Sequence, residues 1–552
     1  MDRSITDKCI LETYILEILI SQSLLSRSQA LYVQLIQSVS NLNILQVLFD
    51  EDILDKKSLL YILPTHLYSR YQCDIISLYY NKNTNYYDDY FFQGLTDDFK
   101  GEKIARAKYY LDFLNKNYTA KNIRYTDSLL VFIFSFLILY LMSNNILCCI
   151  SNIWFLSQNL IKIFLFFQAL LHNYTISYKY SITSFPIYTI LVPLYKEKEK
   201  IKSIIYNITQ LEYPKNKLDV KIILEQDDNE THEALKDFVI PNYIHIIDVP
   251  KSFPRTKPKA LNYAAQYIKG EYIVIYDAED NPDKDQLIKA IATFKYLPDQ
   301  YACLQAKLNI YNLEENLLSK CFCLEYTLWF NFLLRGINLA DLPIPLGGTS
   351  NHIKTSSLHA IGKWDAYNVT EDADLGIRLY THGYKVSILN SCTLEEAPIS
   401  IDNWIYQRSR WIKGFIQTTI ILIKQRHELN ITFRQIIFIH TIIGFPVYSF
   451  FSIPWIILGS ITTKNNTIQL LWILNSICLI SCAYGAGIYI LIHLKGTLRK
   501  LNKCDYLSLM IWPFYFSLNI IATYKALWDI IRNPFKWNKT THGASKTTKT
   551  NI

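Results

Sequence analysis

Apolar stretches constrain this chain most, because a segment that crosses a bilayer fixes the side on which its neighbours lie. SLLVFIFSFLILYLM, residues 128–142, carries no charge and extends a few residues each way to the length of a span. A second apolar run, from about Ile146 to Leu171, is interrupted by Gln158, Asn159 and Lys162. The link between the two is uncharged, whereas Arg106, Lys108, Lys116, Lys121 and Arg124 come before them. Positive charge stays on the cytoplasmic side, so residues 1–125 are expected there, and the helical hairpin over 127–172 brings the chain back to it. Farther on, IIFIHTIIGFPVYSFFSIPWIILGSI and IQLLWILNSICLISCAYGAGIYILIHL read as two more spans. The last apolar segment, Tyr506–Ile531, is basic on both sides, with Lys500 and Lys503 before it and Arg532, Lys536 and Lys539 after it. Both flanks favour the cytoplasm, which leaves crossing, re-entry and an interfacial position open. Residues 432–531 therefore hold two or three membrane segments.

Between these regions, residues 187–430 contain no run that reads as a span. Short apolar runs (IYTILVPLY, VKIILEQDD, YIVIYDAED) alternate with polar helical stretches, the pattern of βαβ units on a largely parallel sheet. Ligands of such sheets sit beyond the carboxyl ends of the strands. Three of these runs end in turns bearing Glu197, Asp227 with Asp228, and Asp277, so the acids are expected along one edge. The 552 residues allow two or more domains, and a net charge of +8 without a long basic run gives no reason to expect nucleic acid. The 11 cysteines form no paired CxxC units, which points to reduced thiols rather than a disulfide frame or a zinc site. The opening MDRSITDKCILETY lacks the basic-then-apolar order of a cleaved signal.

YIVIYDAED crowds Asp277, Glu279 and Asp280 at the end of one apolar run. Like charges this close repel unless a cation lies between them. Residues two apart on an extended strand point the same way, so Asp277 and Glu279 are expected to share a target. Without a neighbouring His or Cys the target would be a hard cation, Mg²⁺ or Mn²⁺. A solvated acidic loop is the competing reading. NVTEDADLG sets Glu371 and Asp372 at the start of a helical run, and WIYQRSRW places Gln407, Arg408, Arg410 and Trp411 on an amphipathic helix entering the membrane. An arginine fork suits a diphosphate and a tryptophan face suits a sugar ring, although the same residues serve as interfacial anchors. Lys257, in PRTKPKALN, is a phosphate contact or an ordinary solvated lysine.

The motifs VPLYKE, EQDDNET, RTKPKALN, YDAED, LGGTSNH, TEDADLG and QRSRW occur in that order over about 187–425. In this the chain resembles the membrane-embedded, cellulose-synthase-like family 2 glycosyltransferases. The resemblance implies a GT-A type α/β domain for nucleotide sugars, flanked by transmembrane helices. It implies that Tyr195, Glu197, Asp227 and Asp228 line the uridine pocket and that Lys257 contacts the diphosphate. Asp277 and Glu279 stand where the family has an Asp-x-Asp metal pair; the longer Glu is a departure, and Asp280 is a second candidate. Asp372, with Glu371 beside it, resembles the general base. Gln407, Arg410 and Trp411, flanking Arg408, match the Q-x-x-R-W motif for diphosphate and acceptor, and Gly348, Thr349, Ser350 and Asn351 resemble the acceptor loop. Trp537, Lys539, Thr540 and His542 match a W-x-K-T-x-H pattern in a basic tail, 532–552, which either closes over the nucleotide or rests on anionic lipid.

The implied activity is inverting transfer from a UDP-sugar to a growing β-linked polysaccharide, with an export partner taking the product onward. The alternatives are single addition to a lipid-linked acceptor and a non-enzymatic membrane scaffold or receptor. The implied location is the bacterial inner membrane, multi-pass, with a cytoplasmic catalytic domain. Residues 1–100 read as a helical domain with a weak internal repeat, LEILISQSLLSRSQAL against LQVLFDEDILDKKSLL, joined by a linker over 101–126. This region resembles the N-terminal domain of type II secretion ATPases, without the Arg-Leu-Gly start that nucleotide binding requires there.

Overall fold

The computed structural model describes residues 100–115, 118–123, 145–172, 184–236, 240–425 and 503–537, with scattered positions between the last two ranges. The N-terminal repeat, the span at 128–142, the paired spans before residue 500, and Lys539, Thr540 and His542 lie outside the described residues. Contacts divide the chain into Met1–Glu102 and Lys103–Ile552, and the sheet and site belong to the second unit.

Eight strands form one mixed sheet: β1 (Tyr188–Leu194), β2 (Leu218–Glu225), β3 (Ile244–Val249), β4 (Tyr272–Ile275), β5 (Asn281–Pro282), β6 (Tyr301–Ile310), β7 (Asn351–Lys354) and β8 (Lys385–Glu395). Their spatial order is β3-β2-β1-β4-β7-β6-β8-β5. β1 pairs in parallel with β2 and β4, β2 with β3, and β6 with β8; β7 runs antiparallel between β4 and β6. This is the mostly parallel α/β sheet expected from the alternating runs.

The strand sequences explain the burial. Along β1, Tyr188, Ile190, Val192 and Leu194 enter the core on one face, while Leu191 enters the core on the other. Every residue of β2 is buried, as a central strand covered on both faces must be. β3, at the sheet edge, is buried only at its ends, Ile244 and Val249. The helix Ile201–Thr209 buries Ile201, Ile204, Ile205 and Ile208, the one-face spacing of a 3.6-residue period. Each such side chain taken fully from water contributes about 1.5–3 kcal/mol.

After β1 the chain builds outward to β2 and β3, then returns past β1 to begin β4 on its other side. The crevice at this reversal lies beyond the carboxyl ends of β1 and β4, where an open α/β sheet takes its ligand. Glu197 follows β1, Asp227 and Asp228 follow β2, and Asp277 follows β4, so parallel pairing gathers them at one edge.

Among the described residues, two helices are long and apolar enough to cross a membrane, Asn152–Leu171 and Leu317–Leu339. The second corrects the expectation that residues 187–430 hold no such run. Its window is 67% buried within the protein against 24% for the first, so it packs as a core element. The two helices touch closely at Gly336, where a Cβ would come within 2.1 Å of the Leu165 carbonyl oxygen. Lys503–Arg532 bends by 49° between Trp512 and Phe514, at Pro513, and passes as one broken or re-entrant span.

Candidate active site

On one side of the crevice, Arg255 joins two of the expected residues. Its guanidinium donates to the Tyr195 hydroxyl at 2.9 Å and to Asp227 Oδ2 at 2.5 Å. Asp228 is buried and faces inward: its Oδ2 accepts from the Lys196 N–H at 2.5 Å and the Thr231 hydroxyl at 2.7 Å. The Thr231 hydroxyl also accepts from the Glu197 N–H at 3.1 Å. Asp228 thus ties the turn after β1, where Lys196 has a φ of 55°, to the helix after β2. Asp227 and Tyr195 remain at the crevice surface. Arg255 escaped the sequence reading although it stands two residues before Lys257 in PRTKPKALN; its signal was a cation adjoining a motif.

Lys257 owes its place to Thr256, whose extended backbone and side chain cap the helix Lys257–Ala264, with Pro258 in the first turn. Lys257 Nζ lies 2.5 Å from Asp277 Oδ1 and 2.7 Å from the Gly348 carbonyl oxygen. Burial opposes its charge, yet Asp277, Glu371 and Asp372 hold its pKa above the ordinary lysine range.

The three acids of YDAED part company. β4 ends at Ile275, and the Asp280 N–H bonds the Asp277 carbonyl at 3.2 Å, so Asp277 and Glu279 lie on a turn. The expected strand alternation therefore does not orient them. Asp280 is fully buried; its Oδ2 accepts from the Asp277 N–H at 2.7 Å and from the Thr349 hydroxyl. It staples the turn to the following loop. Burial and the Asp277 charge raise Glu279 to about 7. Glu395, at the end of β8, is a fourth acid here, pushed well up by burial and by the charges of Asp280, Glu279 and Asp277. Sequence reading passed over it, although EEAP repeats the pattern of acids at a strand end.

Within LGGTSNH it is Gly348 that faces Asp372, Lys257 and Asp277. A Cβ there would lie 3.4 Å from Asp372 Oδ2, 3.9 Å from Lys257 Nζ and 4.0 Å from Asp277 Oδ2. The rest of the loop is buried and knitted to the sheet. Thr349 donates to the Ile275 carbonyl at 3.0 Å, Ser350 to the Thr393 hydroxyl at 2.7 Å, and Asn351 to the Gly347 carbonyl at 2.6 Å. His352 packs between Tyr188 and Gln286, and burial pushes it down to about 3. Gln305, also missed, accepts from the Gly347 N–H at 2.7 Å.

Glu371 and Asp372 open the helix Glu371–Thr381, whose positive end favours carboxylates. Asp372 Oδ1 accepts from the Ala373 N–H at 2.8 Å. Burial and the adjacent Asp372 charge push Glu371 up to about 8, and burial also raises Asp372 against the pull of Ala373, Lys257 and Arg410. The preceding loop rests on the helix Ile401–Gln425. Gln417 Oε1 accepts from the Val369 N–H at 3.1 Å, and Thr418 accepts from Asn368 at 3.0 Å. A Cβ at Gly414 would fall 2.1 Å from the Thr370 hydroxyl oxygen, so only glycine permits this approach.

That helix divides its expected residues. Arg408 binds both carboxylate oxygens of Glu325 and lies 4.4 Å from the Trp411 ring centre, a packing role. Arg410 stacks 4.5 Å over Trp537, and its Nε is buried without a hydrogen-bond partner. Gln407 is buried with its Oε1 unpartnered. Lys413 Nζ holds the carbonyls of Asn533 at 3.2 Å and Lys536 at 2.8 Å, and Gln417 Nε2 holds that of Pro534 at 3.0 Å. The start of the tail is therefore laid along the helix with Trp537 against Arg410.

Comparison with known proteins assigns the class. Residues 272–491 match the family model described as glycosyl transferase family group 2, and residues 189–354 match that of glycosyl transferase family 2. The chain carries glycosyltransferase family 2 domains, and the protein is a glycosyltransferase.

It is 23% identical over 419 residues to the probable glycosyltransferase YdaM of Bacillus subtilis (71% of this chain, 97% of that protein). With the beta-monoglucosyldiacylglycerol synthase of Trichormus variabilis it shares 26% over 271 residues, 48% of this chain and 57% of that protein. It thus spans little more than half the length of that relative. Among solved structures it is similar to the mannosyltransferase PcManGT from Pyrobaculum calidifontis in complex with GDP-Man and Mn²⁺ (TM-score 0.48, 17% identity, 69% of this chain, 98% of that one).

Proposed function

We propose that the protein transfers a sugar from a UDP-sugar to a growing β-linked polysaccharide at a membrane, inverting the anomeric centre. The observation that carries this reading is the convergence of Asp372, Lys257 and Asp277 on the space over Gly348. Of the two carboxylates there, Asp372 is assigned the general-base work. The acceptor hydroxyl attacks the anomeric carbon, its proton passes to Asp372, and the bond to the diphosphate oxygen breaks. Lys257 and Arg410 stand where they would neutralise the departing diphosphate. Tyr195, Asp227 and Arg255, hydrogen-bonded together, are assigned to the base and ribose. Gln407 and Trp411 are assigned to the acceptor.

Asp277 and Glu279 offer hard carboxylate oxygens, although among the described residues no three His, Cys, Asp or Glu side chains are arranged to hold a metal ion by themselves. This donor set fits Mg²⁺ or Mn²⁺ that also takes phosphate oxygens and water. When bound, the cation would supply charge neutralisation to the diphosphate. Asp280 is committed to the turn, which leaves Glu279 as the second ligand in this reading.

Full-length protein with Mg²⁺ or Mn²⁺ is expected to release UDP from one of UDP-glucose, UDP-galactose, UDP-N-acetylglucosamine and UDP-glucuronic acid, and Asp372→Asn is expected to abolish release. Turnover surviving Asp372→Asn overturns the assignment of the base. Product size tests the acceptor: long chains support a polymer, and one added sugar supports a lipid-linked acceptor, the reading favoured by the likeness to a diacylglycerol-directed synthase. Membrane insertion and an export partner belong to the same proposal.

A further inference from the structure

The region expected to be a linker, 101–126, holds the helix Lys100–Leu114 and the turn Ala120–Asn122, and from Lys103 onward it is part of the same compact unit as the sheet. Leu111 and Leu114 press on Gly362, where a Cβ would come within 2.7 and 2.8 Å of their Cδ1 atoms and where φ is +87°. Asn262 Nδ2 donates to the Ala107 carbonyl at 3.0 Å and to that of Trp364 at 2.8 Å. Beyond the helix, the buried carboxylate of Asp365 takes the Thr119 hydroxyl at 2.8 Å, the Ala120 N–H at 2.6 Å and the Tyr367 N–H at 3.0 Å.

Asp365 lies in the loop that runs from Gly362 to Thr370 and ends at Glu371 and Asp372. The same loop is bound from another side by Thr256, whose hydroxyl donates to the Ala366 carbonyl at 2.7 Å while its side chain caps the helix that begins with Lys257. One short segment therefore fixes both the base and the lysine, and the strap holds its middle.

We propose that Asp365, clasped by Thr119 and Ala120, is a positioning residue that sets Asp372 against Lys257, making residues 103–123 a working part of the catalytic unit. The inference rests on the reading of Asp372 as the base. A buried carboxylate satisfied by a hydroxyl and two N–H groups is a stiff anchor, because freeing any donor leaves buried charge uncompensated. A base displaced by about 1 Å costs on the order of a hundredfold in rate. Tyr195, Asp227 and Arg255 are bonded among themselves, and Lys257 is held by its own helix cap, so the clasp acts on Asp372 more than on donor binding.

Ala120→Pro deletes one donor and is compatible with the backbone, since Thr119 is already extended at φ −119° and ψ 140° and Ala120 opens the turn. Ala120→Val adds similar bulk but keeps the N–H, and Thr119→Val removes the hydroxyl at equal shape. Each is assayed as full-length protein with the one of the four UDP-sugars that turns over fastest. Ala120→Pro and Thr119→Val are expected to lower kcat by about ten- to a hundredfold, with donor KM within about twofold of wild type and Ala120→Val close to wild type. Unchanged kcat in both variants overturns the inference, as does joint loss of kcat, donor affinity and thermal stability, or an equal loss in Ala120→Val. If Asp372→Asn is inactive while the clasp variants are normal, the inference alone fails. If Asp372→Asn turns over, or wild type turns over none of the four donors, the underlying reading fails and the inference with it.

Discussion

Glu371 and Asp372 are consecutive acids with different fates, and the difference predicts how stability follows pH. Glu371 is raised to about 8 by burial and by the Asp372 charge. An unfolded glutamate ionises near 4.5. A group whose folded pKa is raised stabilises the fold fully below its unfolded pKa, and that stabilisation is lost as pH rises through the folded value. The ligand-free protein is therefore expected to lose thermal stability between about pH 4.5 and 8, and Glu371→Gln is expected to flatten the loss in melting curves across that window. Gly348→Ala separates space from strain. The added methyl meets only ordinary contacts, 3.4 Å or more from its neighbours, so the melting temperature is expected to stay near wild type. It occupies the reacting space, so kcat/KM is expected to fall by about tenfold or more; wild-type kcat/KM would place the substrate elsewhere. Individual acids were legible in the sequence only as a group. Asp277 and Asp280 are three apart and chemically alike, and only the hydrogen bonds of the turn send one to the crevice and the other into the core.

The helix Ile401–Gln425 shows what a motif conveys and what it leaves out. Q-x-x-R-W was legible because its residue types are rare together, and its two arginines look equivalent in sequence. The fold separates them, pairing Arg408 with Glu325 across helices and stacking Arg410 on Trp537. Arg408→Ala leaves the half-buried Glu325 carboxylate with the Tyr515 hydroxyl but no cation and is expected to destabilise by about 1–3 kcal/mol, read as a lower denaturant midpoint. Arg410→Lys keeps the charge but loses the planar fork and the stack. It is expected to spare stability and lower kcat/KM by about tenfold. The reverse pattern, with Arg408→Ala harmless to folding, would exchange their roles. Lys413 and Gln417 were not legible, since they bind main-chain carbonyls of a segment more than a hundred positions away, and any sequence offers those carbonyls.

Across the molecule, the helix Asn145–Leu171 is arranged inside out. Asn152, Gln158 and Asn159 are buried against the protein, while Ile153, Trp154, Leu160, Phe164, Phe167 and Leu171 are exposed. Lys162 is exposed too, but stands about half a turn from Leu160 and Phe164, on the side of the polar residues. The polar interruptions that marred this run in the sequence therefore mark its protein-facing side, which hydropathy averaged along the chain cannot distinguish. Lys503–Arg532 likewise turns Met510, Phe514, Ile521 and Trp528 outward. A soluble protein rarely leaves such contiguous apolar faces open, and a bilayer covers them while the polar side stays against the protein. The protein is expected to stay with membranes through high-salt and alkaline carbonate washes and to require detergent for release. Leu160→Ser, Phe164→Ser and Phe167→Ser together remove about 1.5–3 kcal/mol of apolar transfer each. They are expected to shift the protein toward release while UDP release in detergent is retained. A wild-type protein that appears in the salt-wash supernatant would mean that these faces are covered by protein instead of lipid.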